Sequence, residues 1–168
     1  MNVETRLFAY GTLKRGSPMH AQLCRGVRTV ERAQLWGRLY ELASGCPALV
    51  VPETARLAEA SLEAAEDHAR LEAALHAPVP AFSREGWRPV LGQLITLADY
   101  RVAWPPLDAW EDASPDRPLL FRRTLVRVER EPGLPITAWA YVVIRLPEGS
   151  RELANGEWPV PAASLAGE

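Results

Sequence analysis

Prolines and glycines cut this chain into short apolar runs, and that punctuation constrains the fold more than any other feature. Leu7 to Tyr10 is apolar and aromatic and suits a buried strand. Val27 to Leu42 alternates well enough for one or two strands, with Leu35, Gly37, Leu39 and Leu42 interleaved around Trp36 and Tyr40. Gly45-Cys46-Pro47 turns the chain into Ala48 to Val51, a continuous apolar run ended by Pro52 and consistent with a strand buried on both faces. Val90 to Leu97 is a further strand whose glycine marks a bend or the close approach of another backbone. Leu119 to Glu129 and Ile136 to Leu146 follow, joined by the turn Pro132-Gly133-Leu134-Pro135 as a hairpin, with Trp139 and Tyr141 on one side of the alternation.

Helical signals are fewer. Ser17-Pro18 reads as a cap followed by proline at the first helical position, opening a short helix to about Cys24. Glu53 to Ala77 is rich in alanine, leucine and glutamate, and Leu57, Ser61, Ala64, His68, Leu71 and Leu75 form one stripe of an amphipathic helix. Three roles stay open for it: a decoration packed on the surface, a dimerisation element, or a lid over a pocket. Its acidic residues Glu59, Glu63, Glu66, Asp67 and Glu72 read as a solvated face, and His68 as an inward imidazole satisfied by packing. Pro78 to Pro89 is broken by proline into a loop, and Ser114 to Pro118 is turn-rich. From Pro147 on, little regular structure is expected, with disorder at the last few positions.

At 168 residues and a net charge of −2, the chain fits one domain with a sizeable core and carries no basic footprint for nucleic acid. Heavy use of alanine, arginine and proline, with Lys14 the sole lysine, reads as a genomic bias of bacterial kind. Cys24 and Cys46 lack the spacing of a zinc site or a disulfide framework and read as free, mostly buried thiols. The N-terminus lacks an apolar core of signal-peptide length, and no run approaches the ~20 residues of a membrane span, so a cytoplasmic protein is expected.

Chemistry concentrates in two places. In the stretch Leu7-Phe8-Ala9-Tyr10-Gly11-Thr12-Leu13-Lys14-Arg15-Gly16 a strand enters a glycine-flanked loop, and successive peptide N–H groups of such a turn form a concavity for an anion. Alone, the stretch reads first as an ordinary strand and turn. Further on, Pro105-Pro106 reads as the start of a short helix, Leu107-Asp108-Ala109-Trp110-Glu111, in which Leu107 and Trp110 share a buried face and Glu111 sits at its edge, partly desolvated. Asp108 is expected to favour the helix dipole and Asp112 to occupy a turn. Arg122 and Arg123 point to opposite faces of their strand, so at most one reaches a pocket, while Lys14 and Arg15 stay in solvent. No Ser/His/Asp order, phosphate loop or metal-binding cluster is evident.

Taken together, Tyr10-Gly11-Thr12-Leu13, Leu107-Asp108-Ala109-Trp110-Glu111 and Phe121-Arg122-Arg123-Thr124-Leu125-Val126 resemble the gamma-glutamylcyclotransferase-like family, over roughly residues 6–51 and 90–143. The resemblance implies an α+β fold, a mixed, partly closed β-barrel with flanking helices, forming a single domain over 1–168 with a helical insertion at about 53–88. It implies that Tyr10, Gly11, Thr12 and Leu13 bind a gamma-glutamyl group and that Glu111 transfers protons, with Phe121 and Tyr141 also at the substrate. Many relatives carry tyrosine where this chain has Phe121, and an aromatic residue where it has Cys46. The implied reaction is an intramolecular cyclisation releasing 5-oxoproline, with no metal and no cofactor. The implied partner is a small gamma-glutamyl molecule, with neither nucleic acid nor membrane, for a monomer or homodimer. A non-catalytic member of the same fold, binding a small metabolite or a protein, is the alternative.

Overall fold

The computed structural model describes residues 3–78, 81, 83–117, 119–131 and 133–159. In chain order its elements are β1 (Thr5–Ala9), α1 (Pro18–Leu23), β2 (Val27–Glu41), β3 (Pro47–Val50), β4 (Arg56–Glu59), α2 (Ala64–His76), β5 (Arg88–Leu97), α3 (Tyr100–Trp110), β6 (Phe121–Glu129), β7 (Pro135–Val143) and β8 (Arg151–Glu152). The strands form one mixed sheet that curls into a partial ring, the α+β architecture expected. β1 pairs antiparallel with β5, β5 with β2, and β2 with β3. β7 then runs parallel to both β3 and β1, meeting them at Leu49–Val142 and Leu7–Trp139, which closes the circuit. The β6–β7 hairpin extends it, with β4 on the outer edge of β6.

The strand alternation sorts side chains into two apolar clusters. Leu7 and Ala9 join Ile95, Leu125, Trp139 and Tyr141, while Phe8 and Tyr10 join Leu35, Leu94, Val126 and Val142. Period-two geometry sends neighbours to opposite faces, so the apolar run Leu7 to Ala9 at the end of β1 buries both. β5 crosses β1 closely at Gly92, where a Cβ would lie 2.5 Å from the Ala9 carbonyl oxygen and 2.8 Å from the Phe8 ring. That is the close backbone approach its glycine signalled.

Several expectations need correction. The stripe from Glu53 to Ala77 is not one helix: Glu53–Ala55 forms a 3-10 turn, Arg56–Glu59 is β4, and only Ala64–His76 is helical. β4 satisfies its backbone groups on the edge of β6, a tertiary demand that outweighs the modest helix propensity of alanine and leucine. α3 begins at Tyr100 rather than at the prolines, because the Asp99 side chain accepts the Arg101 N–H at 2.9 Å and caps it there. Pro105 and Pro106 therefore lie inside the helix. Beyond Pro147 the chain is more ordered than expected: β8 pairs with Tyr40 and Glu41, and the Leu153 N–H reaches the Leu39 carbonyl at 2.8 Å. The last positions, 160–168, lie outside the described residues, as do Val79, Pro80 and Phe82 of the loop before β5. That loop ends sooner than expected, since Arg88 and Pro89 already pair in β5. Among the described residues, no helix is long and apolar enough to cross a membrane.

Candidate active site

β1 ends at Ala9 and delivers Tyr10 to Leu13 to the rim of a cavity of about 260 Å³. The loop is a tight turn closed by the Lys14 N–H on the Gly11 carbonyl at 3.0 Å. A Cβ on Gly11 would lie 2.3 Å from Pro47 Cγ, so the turn packs against the start of β3 only because residue 11 has no side chain. Among the described residues, the N–H groups of Gly11, Thr12 and Leu13 donate to no protein acceptor.

Glu111, at the C-terminal end of α3, lines the same cavity. The helix stops there because Asp112 takes a left-handed conformation, φ 48°, which aspartate tolerates better than most residues. The Glu111 N–H bonds to the Leu107 carbonyl at 3.0 Å and the Ala113 N–H to the Asp108 carbonyl at 2.9 Å, fixing the turn that carries the carboxyl. Burial, reinforced by the Asp112 charge, pushes the Glu111 carboxyl up to about 7. A helix C-terminus, where backbone carbonyls gather, disfavours a carboxylate in the same sense.

The aromatic walls answer to that acid. Tyr10 donates its phenolic proton to the Tyr141 carbonyl at 2.6 Å, and Tyr141 donates its own to Asp108 Oδ1 at 2.7 Å. Both phenols are raised well above their ordinary value, first by burial, with the Glu111 charge adding to each. Phe121 lines the cavity too, with Trp110, Cys46, Pro47, Leu120 and Asp112 among its other lining residues. Every residue assigned to the site from sequence therefore meets at one cavity: Tyr10, Gly11, Thr12, Leu13, Glu111, Phe121 and Tyr141.

Other readings of the site change. Trp110 does not share the buried face of Leu107; it is 47 % exposed at the cavity mouth. Cys46 is exposed there too, and only Cys24 is buried. Lys14 is buried rather than solvated, its Nζ donating to the Trp158 carbonyl at 2.6 Å. Asp108 is not at a helix start but in the last turn of α3, buried, and Asp67 is buried rather than on a solvated face. Both grip Arg123: Nε and Nη2 reach the two Asp108 oxygens at 2.9 and 3.1 Å, and Nη2 reaches Asp67 at 3.0 Å. Arg122 faces the other way and pairs with Glu59 at 2.6 Å, as strand alternation requires. His68 packs inward, stacked on Tyr100 at 4.7 Å with Nε2 3.6 Å from Glu72, but its buried Nδ1 has no hydrogen-bond partner among the described residues. The buried Asp67–Arg123–Asp108 cluster had no sequence signal, because its members come from α2, β6 and α3 and nothing in their spacing marks them as neighbours.

A mixed sheet curling around an acid and a bare peptide turn is a cyclotransferase-like fold. The chain belongs to the family described as gamma-glutamyl cyclotransferase, AIG2-like, whose model matches residues 7–72 and 54–160. Solved structures share the fold at low identity. An AIG2-like protein from Mus musculus is 18% identical with a TM-score of 0.51, over 88% of this chain and 82% of that one. An uncharacterized protein from Pyrococcus horikoshii is 16% identical with a TM-score of 0.53, over 97% and 95%. YkqA from Bacillus subtilis is 18% identical with a TM-score of 0.55, over 93% of this chain but 40% of that one, so the chain spans about two fifths of YkqA. Among curated proteins, none matches the sequence.

Proposed function

We propose that the protein cyclises a gamma-glutamyl amine or amino-acid amide, releasing the amine and 5-oxoproline, with Glu111 as general acid and base. The observation that carries this reading is the shared cavity: a partly buried carboxyl raised to about 7 lines it together with a turn whose N–H groups have no protein acceptor among the described residues. Membership of the gamma-glutamyl cyclotransferase, AIG2-like family supports it. The substrate would be a free small molecule met in the cytoplasm.

The substrate's α-amine is an ammonium near neutral pH and cannot attack until it loses a proton. A carboxylate whose affinity for protons is near the ambient pH accepts that proton and returns it to the departing nitrogen. The freed amine then adds to the side-chain carbonyl of its own molecule, a five-membered ring closes, and the bond to the leaving nitrogen breaks. Protons pass from the attacking to the departing nitrogen, so atoms balance with no water consumed. Because nucleophile and electrophile belong to one molecule, folding it into the attacking geometry supplies much of the acceleration, up to roughly 7–11 kcal/mol in ideal cases. The N–H groups of Gly11 to Leu13 suit either the α-carboxylate or the carbonyl oxygen as it gains charge.

Purified protein incubated with gamma-glutamyl amines and dipeptides tests the reading. The expected result is 5-oxoproline released by the wild type and not by Glu111→Gln. Saturable binding without product in the wild type would replace the enzyme with a metabolite-binding protein.

A further inference from the structure

Behind the cavity lies the buried charge cluster that the cyclisation scheme does not use. Arg123 is 2 % exposed and is gripped by both Asp108 oxygens and by Asp67. Its guanidinium stands 4.3 Å from the Trp104 ring and 5.0 Å from that of Trp139, which hold its plane. A side-chain hydrogen bond joins the cluster to the site, the 2.7 Å bond from the Tyr141 hydroxyl to Asp108 Oδ1. A phenol has one proton to give. With that proton committed to Asp108, the Tyr141 oxygen can only accept.

We propose that Asp108 and Arg123 are positioning residues that fix Tyr141 as a hydrogen-bond acceptor for the α-ammonium of the substrate. The inference rests on the gamma-glutamyl reading above. Arg123 holds Asp108 in place through two parallel bonds, a geometry that lysine cannot reproduce. Asp108 receives the phenolic hydrogen bond, and Tyr141 lines the cavity together with Glu111, where its oxygen is left to accept from a substrate cation. The same Asp108 secures the Glu111 turn through its backbone carbonyl, so acceptor and acid share one anchor. An acceptor here fits an ammonium and repels a carboxylate, which directs the substrate's α-carboxylate to the Gly11–Leu13 turn.

The test compares two ligands that differ only in the amine, gamma-glutamylbenzylamide and its desamino counterpart glutarylbenzylamide, by calorimetry on Glu111→Gln protein so that neither turns over. Adding Tyr141→Phe is expected to weaken the amine-bearing ligand about tenfold, the scale of a hydrogen bond to a charged group, and to leave the desamino ligand within about twofold. Asp108→Ala, which removes the acceptor of the phenolic proton, is expected to give the same selective loss with Tyr141 present and no further selective loss with Phe at 141. Should Asp108→Ala fail to fold, Arg123→Lys is the substitute, with a smaller selective loss. Equal weakening of both ligands, or of neither, by Tyr141→Phe overturns the inference and leaves the cyclisation reading standing on its product assay. Absence of binding by either ligand overturns both.

Discussion

Asp108 and Glu111 lie one helical turn apart at the end of α3, yet their carboxyls meet opposite surroundings. Asp108 is clamped by the Arg123 guanidinium and receives the Tyr141 phenolic proton. Glu111 has burial and the charge of Asp112, both of which favour its protonated form. One helix end thus carries a carboxyl held by Arg123 and Tyr141 and, next to it, an acid that exchanges protons near neutral pH.

Replacing Glu111 with glutamine removes the proton carrier while preserving size. The rate of 5-oxoproline formation is expected to fall by roughly 10²–10⁴-fold, the usual share of general acid–base catalysis, with little change in substrate affinity. Steady-state kinetics on a gamma-glutamyl amine checks both halves.

The same substitution has a signature in stability. The Glu111 carboxyl is raised from 4.5 to about 7 in the folded chain, so the unfolded state ionises first as pH rises. Its contribution to stability is full below about pH 4.5, falls between 4.5 and 7, and is gone above about 7. Wild type is therefore expected to lose up to about 3 kcal/mol relative to Glu111→Gln across that window. Urea unfolding of the two proteins at pH 4.5, 6 and 7.5 measures it; parallel curves would contradict the burial of this carboxyl.

Asp112→Asn removes the neighbouring charge and keeps a residue at ease with a left-handed backbone. The Glu111 carboxyl should move down toward its ordinary value, carrying the acidic limb of the kcat/KM profile to lower pH. The shift is expected to be a fraction of a unit, because burial is the larger cause.

Arg123→Met strands two buried carboxylates. A loss of ~3–5 kcal/mol is expected, as for other broken buried ion pairs. Adding Asp108→Asn and Asp67→Asn should restore a large part of it, which thermal melts of the single and triple variants will show.

Gly11→Ala drives a methyl group into Pro47. The turn must shift, and a rise in KM of tenfold or more is expected alongside a stability loss of ~1–3 kcal/mol. An unchanged KM would mean that the 10–13 turn does not hold substrate.

Much of this was legible in the residue order. The run Leu7 to Tyr10 must be buried on both faces wherever it goes, and the two glycines after it demand a turn. The α1 helix at Ser17-Pro18, the β6–β7 hairpin and the opposite faces of Arg122 and Arg123 follow from cap, turn and strand periodicity, all local properties. Residues 53–77 misled because β4 is held by pairing to β6, a demand from a distant segment that no local propensity records.

Order along the chain determined that strands dominate, that a bare turn follows the first of them and that an acid ends the helix after Leu97. It did so because periodicity and turn chemistry act over a few residues. Only the folded arrangement decided that turn and acid share a cavity, that Asp67 and Asp108 leave solvent to grip Arg123, and that Lys14 is buried against the chain's far end. Electrostatic environment depends on which distant groups pack together, and the closing of β7 on β1 is what brings these groups within reach.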